Sequence, residues 1–279
     1  MILATEADRP EIEAFLKQHI ATSMFPLSNL RRYGMAGGHP RSVRFWCRWE
    51  AGALTDVLTV TEEGVVFPQC PTGPWAKVRV VLAGGGVKGI LGYGAQVSAL
   101  HAALGLPSDP PMNEEEPHYE IQLKDLVMPD VAGFSLVPLG NAPRDIVVNW
   151  RAAFREEALT MRAEDYHASA IRDIDGYVEA DTHRVLYKAG QPVAMTGFNA
   201  TLSDTVQIGG VYTPPDLRSR GLARRAVAMH LSEAREQAVT RAVLSAASPQ
   251  ASRAYEAIGF RPIGTFTILV YDEPQVVHG

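Results

Sequence analysis

The segment from Val206 to Ala223 constrains the chain more than any other. It consists of a buried strand over Val206–Tyr212, a proline pair that ends the strand, and a basic loop that opens into an amphipathic helix. The loop has the form R-x-x-G-x-A at Arg218, Gly221 and Ala223. Backbone N–H groups at a helix start attract anions, and small residues let a ligand approach the main chain closely. This segment therefore predicts a pyrophosphate site.

A second pattern follows one helix and one strand later. It has the form S-x-x-A-x-x-x-Y-x-x-x-G-F, from Ser248 to Phe260, and includes a helix predicted over Pro249–Ile258. Each pattern alone also has a plain structural interpretation. The first fits an ordinary capped surface helix with solvated arginines, and Tyr255 fits a half-buried tyrosine packed on Phe260. The helix and strand between them have the length that a common site requires.

Together the two patterns resemble the acyl-CoA binding motifs of the GNAT (GCN5-related N-acetyltransferase) superfamily, over roughly residues 137–270. In that family the loop amides bind the CoA pyrophosphate, the preceding strand bonds to pantetheine, and a tyrosine at the position of Tyr255 protonates the departing thiolate. A phenol with a pKa near ~10 keeps its proton at neutral pH for that step. The resemblance also makes the Val211 N–H the candidate oxyanion donor. The cofactor site it implies consists of Val211, Thr213, Arg218, Ser219, Arg220, Gly221, Leu222, Ala223, Arg224, Ser248, Ala251 and Tyr255.

The activity that the resemblance implies is direct transfer of an acetyl group from acetyl-CoA (CoA) to an amine, on a small molecule or a peptide. The general base stays open, because the strand Val206–Tyr212 has no carboxylate where many relatives carry a glutamate. The alternatives are His183, Glu179, Asp181 and Asp204. A second hypothesis is a non-catalytic acyl-CoA-binding or sensing module. It is favoured by the missing carboxylate and by Ser248, which replaces the family's usual asparagine.

The expected fold class is α/β (α+β), with two acyl-CoA N-acyltransferase-like domains, each a mixed, mainly antiparallel sheet flanked by helices. We expect a degenerate N-terminal domain over residues 1–130 and the catalytic domain over residues 131–279, as in the family's tandem members. The second half predicts the order β-α-α-β-β-β-α-β-α-β, with helices over Arg144–Met161 and Ala163–Ala180 and a final strand over Ile263–Tyr271. The first half repeats this order only weakly. Its predicted elements are a helix over Glu6–Thr22, strands over Val43–Trp49, Ala53–Val60 and Gly64–Phe67, an undecided helix or strand over Pro74–Ala83, a helix over Gln96–Leu104 and a strand over His118–Leu123.

The composition argues against several other classes of function. A net charge of −5 over 279 residues disfavours a general nucleic-acid binder. The two cysteines, Cys47 and Cys70, supply neither a disulfide framework nor a multi-cysteine metal site, so no metal is expected. Neither a signal peptide nor a membrane span is apparent, which predicts a cytoplasmic protein without a membrane partner. Its oligomeric state is expected to be a monomer or a homodimer.

The glycine run from Gly84 to Gly89 fits two other patterns. As G-x-G-x-x-G it resembles a dinucleotide fingerprint, but Asp109, the acid expected about twenty residues on, lies in a proline-rich turn. As G-G-G-x-K-G it resembles the oxyanion loop of patatin-like hydrolases, which would need a Ser135/Asp175 dyad that cuts across the predicted strand order. Gly89-x-x-Gly92-x-Gly94 imitates the CoA loop without its arginine. We therefore expect a glycine turn in a domain that has lost its cofactor site.

Overall fold

A computed structural model of the chain describes residues 1–158 and 165–279. The described chain divides into two compact units, Met1–Glu116 with Gly264–Gly279, and Pro117–Ile263. The two units are defined by which residues pack together. The boundary predicted at residue 130 separates domains that would fold independently, so the units do not test it and it stays a prediction.

The first unit is one sheet with helices. Its sheet order is β1-β2-β3-β4-β5-β12, in which β4 and β5 are parallel and the other neighbours are antiparallel. Its elements are β1 (Ile2–Leu3), α1 (Arg9–Gln18), α2 (Ile20–Tyr33), β2 (Val43–Glu50), β3 (Ala53–Thr61), β4 (Val65–Gln69), α3 (Trp75–Leu82), β5 (Gly86–Tyr93), α4 (Gly94–Leu104) and the end of β12 (Arg261–Val276).

The second unit repeats the same plan. Its sheet order is β6-β11-β10-β9-β8-β7, in which β10 and β11 form the parallel pair. Its elements are the second half of β6 (Met112–Gln122), β7 (Phe134–Pro138), α5 (Arg144–Ala158), α6 (Tyr166–Glu179), β8 (His183–Lys188), β9 (Gln191–Thr201), β10 (Thr205–Tyr212), α7 (Leu222–Glu236), β11 (Arg241–Ser245) and α8 (Pro249–Glu256). In each unit, mixed and mainly antiparallel strands flanked by helices confirm the predicted fold class.

Two strands belong to a different unit from the one in which they were predicted. The strand predicted over His118–Leu123 was expected in the first domain, but its residues His118–Gln122 pair antiparallel with β11 in the second unit. The final strand was expected to complete the second domain, but its residues Phe266–Val276 pair with β5 in the first unit. Each half therefore receives its last strand from the other half of the sequence. Alternation of apolar residues predicts a strand but does not say which sheet edge it joins, because main-chain pairing is not specific to sequence.

The first half resembles the second more closely than its sequence suggests. The helix expected over Glu6–Thr22 is a short 3₁₀ turn followed by α1, and a second helix, α2, follows after His19. The undecided segment Pro74–Ala83 forms α3. In the second half, the predicted ends Met161 and Ala163 of the paired helices lie outside the described residues.

The two faces of the second sheet carry different helices. Val185, Met195 and Tyr212 pack against α5 and α6. On the opposite face Val206 and Ile208 pack against α7. Strict alternation would place residues 206, 208 and 212 on one face, so the register shift between Gly209 and Tyr212 is what turns Tyr212 to the other layer. The candidate site lies where β10 ends.

Candidate active site

The pairing of β10 with β11 ends where β10 enters the candidate site. Their parallel pairing joins Thr205–Gln207 to Arg241–Val243 and does not continue along the described part of β10. On the other edge, the pairing with β9 shifts register between Gly209 and Tyr212, and Gly210 has a left-handed φ of 62°. A register shift at a left-handed glycine is a β-bulge, which re-aims the following residues. The next residue is Val211, the predicted oxyanion donor, which packs against the apolar layer of α7 and α8.

The loop after β10 leads into α7 without a side-chain cap. Gly221 takes the N-cap position with a left-handed φ of 69°, and in the described chain no side chain caps the helix. The first turn has the sequence Leu-Ala-Arg-Arg, beginning at Leu222. The backbone N–H groups of a first turn have no partner within the helix, and the helix dipole places positive potential there. This geometry suits an anion, as the sequence predicts.

The arginines of the loop differ in what they contact. Arg218 donates from Nε to the Thr213 carbonyl at 2.9 Å and from Nη2 to a Glu157 carboxylate oxygen at 2.6 Å. Arg220 donates to the Asp216 carbonyl at 2.9 Å. These contacts shape the loop.

A further arginine, Arg225, was not among the predicted residues. It donates to the backbone carbonyls of Arg220 and Gly221, each at 3.1 Å, and of Asp130 at 2.7 Å. The loop carbonyls therefore point toward Arg225.

Ser219 in the same loop has a left-handed φ of 63°, which is uncommon for a residue with a Cβ.

Two buried polar atoms bracket this loop. Thr213 Oγ1 at its start and Arg224 Nε at the first turn of α7 are buried without a hydrogen-bond partner among the described residues. An unsatisfied buried polar group costs about 1–3 kcal/mol, so a native structure retains one where a ligand or solvent completes it. One group is a cationic donor and the other a hydroxyl. Both suit the phosphates and amides of an acyl-CoA, so the residues present fit that group.

The serine that replaces asparagine forms a helix cap. Ser248 Oγ accepts a hydrogen bond from the Ala251 N–H at 3.2 Å and caps α8. Tyr255 on the same helix is 7% exposed, and its ring meets Phe260 edge-on at 6.0 Å. Ala251, Tyr255 and Val211 all contact one apolar cluster with Leu231 of α7. The structure thus brings the strand, the loop helix and the tyrosine helix together.

The four alternative bases differ in surroundings. His183 is fully buried, and burial lowers its pKa to about 3. Asp181 pairs with Arg184 at 2.7 Å. Asp204 accepts from the Thr205 hydroxyl at 3.3 Å, and Glu179 is an exposed residue at the end of α6. None of these contacts reaches Val211 or Tyr255, and the base stays unassigned.

A carboxylate that was not predicted, Glu157, also contacts the site. One of its oxygens accepts from the Tyr212 hydroxyl at 3.5 Å, and the other accepts from Arg218. Burial and the negative charge of Glu157 raise the pKa of Tyr212. In the sequence Glu157 is one of several charges on an amphipathic helix, so only the packing of α5 against β10 distinguishes it.

The first unit has a different arrangement at the corresponding place. The segment between β4 and α3 contains Thr72, whose N–H and hydroxyl both donate to the buried Asp56 carboxylate, at 2.9 and 2.6 Å. An anionic ligand would meet that carboxylate. Gly89 and Gly92, expected to imitate the CoA loop, lie within β5.

The glycine run also supports neither competing pattern. Gly86–Gly89 begins β5 rather than a turn into a helix, and α4 starts only at Gly94. The Ser135/Asp175 dyad has no support, because Asp175 pairs with Arg144 at 2.5 Å.

Comparison with known families decides the identity of the second unit. Residues 145–260 match the family model of the acetyltransferase (GNAT) family, a range that contains both motifs. The chain carries a GNAT acetyltransferase domain. A GNAT domain supports acyl-CoA-dependent N-acyltransferase activity in general. A search of curated protein sequences finds no match.

Solved structures extend the likeness to nearly the whole chain. A GCN5-related N-acetyltransferase from Kribbella flavida is 19% identical, with a TM-score of 0.57 over 91% of this chain and 95% of that one. A Drosophila protein is 14% identical, with a TM-score of 0.62 over 96% and 97% of the two chains. A tandem GNAT protein from the clavulanic acid biosynthesis pathway is 15% identical, with a TM-score of 0.53 over 96% and 97%. At these identities the likeness concerns the fold alone, and it includes the fold of the first half.

No helix among the described residues is both long and apolar enough to cross a bilayer.

Proposed function

We propose that this protein transfers an acetyl group from acetyl-CoA directly to an amine, using one cofactor site in the second unit. The observation that carries the proposal is that the pairing of β10 with β11 ends at Gln207, after which β10 has the Gly210 bulge and leads into the Gly221 loop. The unsatisfied Thr213 Oγ1 and Arg224 Nε lie at the two ends of that loop and support an anionic, amide-bearing ligand.

Each predicted residue then has a role. The N–H groups of Gly221, Leu222 and Ala223, with the side chains of Arg218 and Arg224, hold the pyrophosphate. Ser219 and Arg220 shape the loop. The main chain of Val211 and Thr213 holds pantetheine, while Ala251 supplies an apolar wall and Ser248 caps the helix that carries Tyr255.

Bound acetyl-CoA supplies an activated acyl thioester. The Val211 N–H donates to the acyl carbonyl oxygen and stabilises the charge that develops there. The amine nitrogen bonds to the acyl carbon, the carbon–sulfur bond breaks, and Tyr255 donates a proton to the departing sulfur. The amine gives up its own proton to solvent or to a base that we do not assign. Holding the amine beside the acyl carbon supplies much of the rate gain.

The first unit has no acyl-CoA site in this proposal, because Thr72 of the corresponding segment donates to the buried Asp56 carboxylate of β3. We propose that the acceptor is a small-molecule or peptide amine. The protein acts in the cytoplasm as a monomer or a homodimer.

A non-catalytic acyl-CoA-binding module is the second candidate. It is favoured by the absence of a carboxylate on β10 and by the helix-capping role of Ser248. The two candidates differ in turnover. We would incubate the protein with acetyl-CoA and a broad panel of amines and measure free CoA. Release above background that falls in Tyr255→Phe supports the enzyme, whereas binding of acetyl-CoA without release for any amine supports the module.

A further inference from the structure

A buried histidine lies against the bulge of β10. His183, at the start of β8, is 0% exposed. Its imidazole ring lies beside Gly197 on β9 and Gly210 on β10. A Cβ at Gly197 would overlap the imidazole, and a Cβ at Gly210 would lie 2.8 Å from its Nε2. The two glycines therefore leave the space that the ring occupies.

The ring is fixed from two other sides. It stacks on Tyr177 of α6 at 3.7 Å with an interplanar angle of 12°. Its Nδ1 lies 2.9 Å from the Thr182 hydroxyl. Its Nε2 is buried and has no hydrogen-bond partner among the described residues. Close packing and a firm hydrogen bond leave the ring little freedom to move, so its Nε2 edge stays beside Gly210.

The position of that edge matters because Gly210 immediately precedes the predicted oxyanion donor. Gly210 has the left-handed backbone of the bulge, and the next N–H belongs to Val211. A change at Gly210 of a few tens of degrees in φ or ψ would turn the Val211 N–H away from its present direction. Hydrogen-bond strength falls steeply as the donor angle closes.

We propose that His183 is a positioning residue: its imidazole holds the Gly210 bulge and so fixes the direction of the Val211 N–H. This inference rests on the proposed function only in that Val211 is the oxyanion donor. His183 acts through Gly210, and it does not contact the substrate. It therefore affects the chemical step more than the binding of CoA, since the pyrophosphate is held by α7.

The chain supplies a matched control. His230 on α7 is also buried, at 2% exposure, it stacks on Phe198 at 3.8 Å, and its Nδ1 also has no partner in the described chain. It differs from His183 in its place: it belongs to α7 and stacks on Phe198 of β9, whereas His183 belongs to β8 and stacks on Tyr177 of α6. Replacing either histidine removes a comparable buried ring, but only His183 adjoins Gly210.

The first experiment compares His183→Ala, His183→Gln and His230→Ala. We expect kcat to fall about 10- to 100-fold in His183→Ala, below the full loss of an oxyanion donor, while the Kd of CoA changes by less than about threefold. His183→Gln keeps a polar atom near the Nε2 position and should fall between parent and alanine. His230→Ala should keep kcat within about threefold even where its melting temperature falls equally. Equal losses of kcat in both alanine variants, or a loss of CoA affinity as large as that of kcat, would overturn the proposal.

A second readout does not depend on activity. Hydrogen exchange of a peptide covering residues 208–213 should quicken in His183→Ala and His183→Gln and stay unchanged in His230→Ala. If the parent turns over no amine, the proposed function fails, and this exchange pattern still tests whether His183 holds the bulge. Unchanged exchange in both His183 variants would refute that.

Discussion

The guanidinium of Arg218 donates to the carboxylate of Glu157 across 2.6 Å and so joins the candidate phosphate loop to the last turn of α5. The two side chains are 45% and 43% exposed, so this ion pair is a surface one. Such pairs contribute about 0–1 kcal/mol and are easily exchanged. A pyrophosphate in the loop would compete with Glu157 for Arg218.

Removing the competing charge should therefore strengthen cofactor binding. In Glu157→Gln we expect acetyl-CoA to bind about two- to fivefold more tightly at low salt, the range that a surface ion pair allows. Because salt screens exposed charges, the gain should shrink at about 0.5 M salt. Calorimetric titration at two salt concentrations measures both. Weaker binding in Glu157→Gln would show that the pair organises the loop rather than competing with the ligand.

Loss of the Tyr255 hydroxyl should slow turnover without weakening binding. A positioned general acid contributes about 10²–10⁴-fold, so we expect kcat of Tyr255→Phe to fall by about 10²-fold or more. The Kd of CoA should stay close to the parent value, since the ring and its contact with Phe260 remain. Tyr187→Phe on β8 is the control and should retain full activity. A Tyr255→Phe variant with parental kcat would remove Tyr255 from the mechanism.

Stability should fall on mild acidification. Burial lowers the pKa of His183 to about 3 and that of His230 well below its ordinary value, so both stay neutral in the folded protein. In the unfolded chain they take up protons below about pH 6.5, which favours unfolding. The free energy of unfolding should drop by about 1.4 kcal/mol per pH unit for each histidine between pH 6 and 4.

Urea unfolding at several pH values measures this slope. Replacing either His183 or His230 by glutamine should reduce the slope by about one proton. A parental slope in both buried variants would contradict this account.

The first unit should contribute to stability and not to cofactor binding. The Asp56 carboxylate is buried and accepts two hydrogen bonds from Thr72, besides lying 3.4 Å from Arg48. Asp56→Ala leaves these donors unpaired, at a cost of about 1–3 kcal/mol for a buried group. We expect a lower melting temperature, with one acetyl-CoA still bound per chain at the parental Kd. Two acetyl-CoA molecules per parental chain would show that the first unit binds the ligand as well.

The sequence predicted the second unit well because its signals are local. The strand, proline stop, loop glycine and helix of the CoA motif are consecutive, and the structure has them in that order. The first unit was harder to predict. Its second helix, α2, contains Pro26 and polar residues, which weaken helical periodicity, and its absence from the prediction hid the repeated plan.

Other features depend on contacts between distant residues. Each final strand pairs with strands from the other half of the sequence. The alternation of apolar residues predicts a strand but does not say with which strand it pairs. The contact of Glu157 with Arg218 joins residues 61 positions apart. The position of His183 against Gly210 needs three strands in register. Each of these is a tertiary outcome, so sequence pattern alone did not predict it.

Calorimetric titration with acetyl-CoA tests most directly whether the Gly221 loop binds acyl-CoA. The parent would be compared with Gly221→Glu and with Gly190→Glu, whose glycine has a similar φ of 75° but lies in the turn between β8 and β9. Both variants strain a left-handed position, and only the first places a carboxylate in the phosphate site. We predict that the parent and Gly190→Glu bind acetyl-CoA and that folded Gly221→Glu does not. A folded parent that binds no acetyl-CoA, or a Gly221→Glu variant that binds it as tightly as Gly190→Glu, would contradict the account.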